Sequence, residues 1–147
     1  MKYRGDLNTE QQNKKSLEID SMEISEILRT INNEDASIAN AVRMGLPEIE
    51  ETINYTVCSV KNGGRIFYVG AGTSGRVGVL DASEIPPTFS LSNNIFIGII
   101  SGGDKALRKS VEGAEDSEDA GFRDIEHFNL DENDTVIGIS CSGAASY

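Results

Sequence analysis

Residues 70–75, Gly-Ala-Gly-Thr-Ser-Gly, carry the strongest chemical signal in the chain. Backbone N–H groups at a helix start, with the Thr73 and Ser74 hydroxyls beside them, make a cradle for a phosphate or similar anion. The alternative is a glycine turn that only lets a helix pack closely on a strand. The run also satisfies the G-x-G-x-x-G pattern of dinucleotide sites. That reading wants an acid at the end of the second strand for the ribose hydroxyls. Here the strand ends in Ser101-Gly102-Gly103, and the next acid is Asp104. A P-loop would continue with Lys and then Ser or Thr, but Arg76-Val77 follow Gly75. Both nucleotide readings are weakened, and a general anion site is left.

Other groups could do chemistry beside it. Residues 140–143, Ser-Cys-Ser-Gly, form a second hydroxyl-bearing loop, weak when taken alone because Ser and Gly commonly cap helices. Glu84, in Leu-Asp-Ala-Ser-Glu-Ile-Pro-Pro, is a carboxylate one helix after the anion loop; its plain alternative is a solvated helix-end acid. Glu115 and Asp116 lie in Glu-Gly-Ala-Glu-Asp, inside a stretch from 112 to 134 with ten acids and one base, Arg123. Most of that stretch is solvated face, and pattern alone does not single out Glu115. His127 reads as a polar residue near a helix end.

The elements that must position these groups follow from composition and period. A formal charge of −11, from 24 acids and 13 bases, argues against a general nucleic-acid binder. Residues 1–20 lack the apolar core of a signal peptide, and the longest apolar run, 95–100, is too short to span a bilayer. Cys58 and Cys141 read as free thiols of a reducing cytoplasm, and one His with two Cys gives no zinc constellation. Residues 1–19 are expected to be a flexible arm, 20–64 a helical segment, and 65–147 an α/β segment. Asp20 and Glu23 resemble a capping box for a helix through Ile31, stopped by Asn32-Asn33. A second helix is expected over 35–44, and a third from Pro47 to Gly63-Gly64.

From Arg65 the period changes. Apolar runs at 66–69, 95–100 and 136–139 predict three strands. Helices are expected over 76–84, stopped by Pro86-Pro87, and over 105–128. Strand–loop–helix in succession, with each strand ending in small polar residues, predicts an open parallel α/β sheet that binds its ligand beyond the carboxyl ends of the strands. Three strands are few for such a sheet, so the chain reads as the N-terminal part of something longer.

The combined run 70–88, GAGTSGRVGVLDASEIPPT, resembles the signature of the N-acetylmuramic acid 6-phosphate etherases, within the wider class of sugar-isomerase (SIS) domains. Residues 17–34 resemble the family's N-terminal helix and its Ile-Asn-x-Glu-Asp turn, and 111–117, VEGAEDS, its second catalytic segment. The resemblance implies N-terminal helices followed by the first three strands of a SIS-type sheet, truncated after the third. It implies elimination of D-lactate from C3 of the sugar, then addition of water, giving N-acetylglucosamine 6-phosphate. The open-chain aldehyde acidifies the C2 proton, so this chemistry needs no metal or redox cofactor. Glu84 and Glu115 match the family's two catalytic glutamates; their division into acid and base is open, and a carboxylic acid donating near neutrality should have a raised pKa. Thr73, Ser74 and Gly75, with Ser142, match the loops that hold the 6-phosphate.

The resemblance further implies a sugar phosphate as the partner, a homodimer and a cytoplasmic setting, with neither nucleic acid nor membrane. A non-catalytic SIS sugar-phosphate sensor is the rival. The third loop departs from the family, which continues Ser-Gly-Arg-Thr-Pro where this chain has Ser142-Gly143-Ala144-Ala145-Ser146.

Overall fold

The computed structural model describes Gly5 and residues 7–147. The described residues fall into two compact units that divide between Ile53 and Asn54. The expected arm, residues 1–19, lies partly outside the described residues. Within the described part, Lys15 Nζ and Asn13 Nδ2 donate to the two carboxylate oxygens of Glu34 at 2.6 and 2.7 Å. These hydrogen bonds, that from Lys15 first, hold the Glu34 carboxyl below the usual range.

Glu34 belongs to α1 (Ile24–Met44), which is a single helix where two were expected. Its capping box is Glu23 with Glu26, one turn later than the Asp20–Glu23 expectation. Asn32-Asn33 do not stop it, because an interior Asn costs only about 0.5 kcal/mol relative to Ala. The apolar positions stay in phase across the pair: Leu28, Ile31, Ile38 and Val42 follow at helical spacing. α2 (Leu46–Lys61) follows the expected bounds. Gly63-Gly64 closes it, with Gly64 N–H donating to Ser59 O at 2.9 Å.

The second unit is built on three parallel strands, β1 (Ile66–Gly70), β2 (Phe96–Ile100) and β3 (Thr135–Ile139), in the order β2-β1-β3. β1 is central, and its Ile66 and Phe67 are completely buried. α3 (Gly72–Phe89) joins β1 to β2, while α4 (Gly103–Arg108) and α5 (Glu118–Glu126) lie between β2 and β3. The connection to β3 runs in the opposite direction across the sheet. Right-handed crossovers therefore set α3 on one face and the α4–α5 connection on the other. Contacts agree: Gly78 of α3 lies against Tyr68, whereas Phe67 meets Phe128, just past α5, edge-on at 5.3 Å between ring centroids. The reversal of direction falls between β1 and β3, so the loops after these strands flank a topological switch point.

Two helix expectations need correction. α3 does not stop at Glu84 but continues through Pro86 and Pro87 to Phe89. Proline fixes φ at a helical value; its cost is the missing N–H and the clash with the preceding turn. Ile85 and Pro86 are half-buried, and that packing opposes the cost. The helix expected over 105–128 is α4, a 3-10 turn at Ala114–Asp116, and α5. Gly113, at φ +73°, turns the chain between them, and Ser117 accepts Ala120 N–H at 3.2 Å to cap α5.

At the amino ends of the strands, Arg65 and Asp134 clamp the sheet. Arg65 donates from its backbone N–H (2.7 Å) and Nε (3.1 Å) to Asp134 Oδ1, and from Nη2 to Oδ2 at 2.5 Å. Its Nη1 also reaches Phe128 O at 3.1 Å, and the guanidinium stacks over the Phe67 ring. The Asp134 side chain is only 2% exposed. Hydrogen bonds from Arg65 pull its carboxyl down to about 2. An unfolded Asp titrates near ~3.9, so this stabilisation is complete above that pH and lost as pH falls through about 2. Asp134→Ala should cost about 2–3 kcal/mol at pH 7, less than a fully buried pair because Arg65 is partly exposed. Urea unfolding should show that difference shrinking toward pH 2; a difference constant from pH 7 to 2 would remove the carboxylate from the account.

Candidate functional site

Gly75 decides how the site is built. A β-carbon there would lie 2.5 Å from Gly70 O and 2.7 Å from Ile100 Cγ1, so only glycine lets the first turn of α3 press onto the ends of β1 and β2. The Gly75 N–H donates to Ala71 O at 3.2 Å. Its role is packing, since that amide is committed within the helix. Ala71 occupies the N-cap and supplies no side-chain cap. The N–H groups of the first helical residues, Gly72, Thr73 and Ser74, therefore have no intrahelical partner and carry the positive end of the helix dipole.

A cavity of about 240 Å³ opens beside this turn. Thr73 and Arg76 of α3, Ser101 at the end of β2, and Ser110, Glu112 and Glu115 from the following segment line it. Arg76 Nε donates to Leu107 O at 3.4 Å. Ser110 Oγ donates to Glu112. Glu115 sits in the 3-10 turn, where its carbonyl oxygen accepts Ser146 N–H at 2.9 Å and Tyr147 N–H at 3.1 Å. The chain that leaves β3 thus holds the turn that presents Glu115.

Of the residues expected to act, Thr73 and Glu115 line one cavity. Ser74 is its half-buried neighbour on α3. Ser142 is half-buried in the loop after β3, on the other side of the switch point from the cavity, and its Oγ accepts Ala144 N–H at 3.2 Å. Its hydroxyl hydrogen can still be donated. Glu84 is elsewhere: it is exposed, twelve residues beyond Gly72 on α3, about 18 Å along the axis at ~1.5 Å per residue. Arg76, Ser101 and Ser110 were not singled out from the sequence. Arg76 follows Gly75 directly, so its cationic type beside an anion loop was a usable signal.

Comparison with known proteins decides the family. Residues 48–147 match the model of the glucokinase regulatory protein N-terminal SIS domain. The chain belongs to the SIS-domain family. It is 54% identical over 145 residues, 99% of its length, to the N-acetylmuramic acid 6-phosphate etherase 1 of Bacillus licheniformis. It is 50% identical over 130 residues to the etherase of Bacteroides thetaiotaomicron, and 45% identical over 143 residues to that of Salmonella dublin. It spans about half the length of these relatives, 47–48%, and matches their N-terminal portion. The parallel three-stranded sheet is the incomplete SIS-type architecture that the sequence led one to expect. No described helix is long and apolar enough to cross a membrane.

The contact at Gly75 can be tested in this SIS domain. Gly75→Ala should destabilise the chain by about 1–3 kcal/mol through overpacking against backbone that cannot withdraw. A thermal melt unchanged from the parent would show that the α3–β1 contact is looser than described.

Proposed function

We propose that the chain supplies the sugar-phosphate site of an enzyme that cleaves the D-lactyl ether of N-acetylmuramic acid 6-phosphate. The observation carrying this is the 45–54% identity to named etherases across nearly the whole chain. The uncapped start of α3 and the Thr73–Glu115 cavity support it. In this reading the 6-phosphate rests on the free amides of Gly72, Thr73 and Ser74, helped by the hydroxyls of Thr73, Ser74 and Ser142. Gly75 contributes by letting the helix start come that close.

The reaction then needs two proton transfers. A base removes the C2 proton of the open-chain aldehyde, and the electron pair expels the C3 ether oxygen, which takes a proton and leaves as D-lactate. Water adds across the resulting double bond, its oxygen to C3 and a proton to C2. Redox state is unchanged throughout. In this reading Glu115, at the cavity wall, is one of the carboxylates. Glu84 is the other by family resemblance, and in this reading it serves the cavity of a second copy in a homodimer, an arrangement that its distance along α3 favours. A phosphorylated substrate fits a cytoplasmic enzyme.

The description of the matched family model as a regulatory protein favours one rival, a SIS sensor that binds the sugar phosphate without cleaving it. D-lactate release from the substrate separates the two. It should be assayed with the chain alone and with the longest reading frame that contains it. Release is expected, and Glu84→Ala and Glu115→Ala should each slow it by about 10²–10⁴-fold. Binding with no release supports the sensor and overturns the lyase. Mixing the two single variants should restore activity if Glu84 acts across a dimer; two inactive variants that stay inactive when mixed would refute that arrangement.

A further inference from the structure

Ser101 is a buried polar group without a use in the ligand-free fold. It follows β2 directly, and its N–H donates to Gly70 O at 3.0 Å, which fixes its backbone beside the residue that opens the glycine loop. Its relative exposure is 3%, and among the described residues its Oγ has no hydrogen-bond partner. A serine hydroxyl shut away from water and left unbonded is destabilising, and alanine would fill the position without that cost. The residue lines the 240 Å³ cavity together with Gly72 and Thr73, whose amides lie in the uncapped first turn of α3. It also borders a larger cavity of about 570 Å³, whose walls include Ile99, Leu107, Ala120 and Phe128. The smaller cavity has the donors: the start of α3, the Thr73 hydroxyl and Arg76.

We propose that the Ser101 hydroxyl is a ligand-binding group, donating to an oxygen of the phosphate seated on the first turn of α3. The proposal rests on the sugar-phosphate reading of this cavity and adds a donor from β2 to those of the glycine loop. Two arms of the site, one at each end of the Gly70–Ser101 backbone bond, then close on the same anion. The unbonded hydroxyl is explained as a partner held ready for it.

The test is binding of inorganic phosphate and of N-acetylglucosamine 6-phosphate to the chain, read by calorimetry, beside thermal melts without ligand. Ser101→Ala should leave the ligand-free melting temperature unchanged or higher, and weaken both ligands about ten- to a hundredfold, as loss of a hydrogen bond to a charged group does. Ser101→Cys, close in volume but a poor donor, should behave likewise. Undiminished affinity in both variants would overturn the proposal while leaving the sugar-phosphate reading intact. A lowered ligand-free melting temperature in both variants would mark a packing role and overturn it too. Failure of the unaltered chain to bind either ligand would overturn both the proposal and the reading it rests on.

Discussion

The start of α3 depends on a close approach at the carbonyl oxygen of Gly70. The missing β-carbon of Gly75 faces it from one side, and the Ser101 N–H bonds it from another. That close approach fixes the start of α3 directly over the carboxyl ends of β1 and β2. Because Ala71 cannot cap the helix, the amides that this approach delivers stay available. A Ser or Asp at that N-cap would bond one of them itself and reduce what the helix start offers an anion. Packing and the proposed anion binding thus depend on the same few backbone atoms.

A second anchor lies at the other end of the sheet. Arg65 and Asp134 tie the start of β1 to the turn before β3, and Arg65 also binds Phe128 O and Asn129 O, where the chain leaves α5. The connection on that face is anchored away from the cavity. The loops at the carboxyl ends can then be shaped by ligand chemistry, as open α/β sheets generally permit.

The three strands and their parallel direction could be read from the sequence, because short apolar runs ending in Gly and Ser suit strands buried between helices. The glycine loop was legible for the same reason, and so was the end of α2 at Gly63-Gly64. Three features were hidden by local rules that tertiary packing overrode. Asn32-Asn33 look like a stop, although the apolar stripe on either side keeps one phase. Pro86-Pro87 look like a breaker, yet their φ is already helical. The segment 105–128 has helical composition, but Gly113 and Ser117 divide it, and the turn so made presents Glu115. Ser101 was not legible at all: serine after a strand is commonplace, and only burial without a partner sets it apart. The separation of Glu84 from the glycine loop was countable within the helix expected over 76–84, at about 1.5 Å per residue.

The acidity of the chain bears on which function the cavity suits. A charge of −11 opposes capture of an anion at long range, although screening confines the effect to about 8 Å at physiological salt. The local conflict is sharper, because Glu112 and Glu115 line the same cavity as the free amides of α3. Carboxylates beside a bound phosphate reduce its affinity through like-charge repulsion, and a pure binding site would do better without them. Ser110 engages Glu112, which leaves that acid a role in shaping the segment. Glu115 is different, since the chain beyond β3 bonds its backbone and holds it at the cavity wall. An arrangement that weakens binding to keep a carboxylate beside the ligand is unfavourable for a sensor. It fits the proposed reaction, in which the carboxylate moves a proton on the sugar that the phosphate anchors.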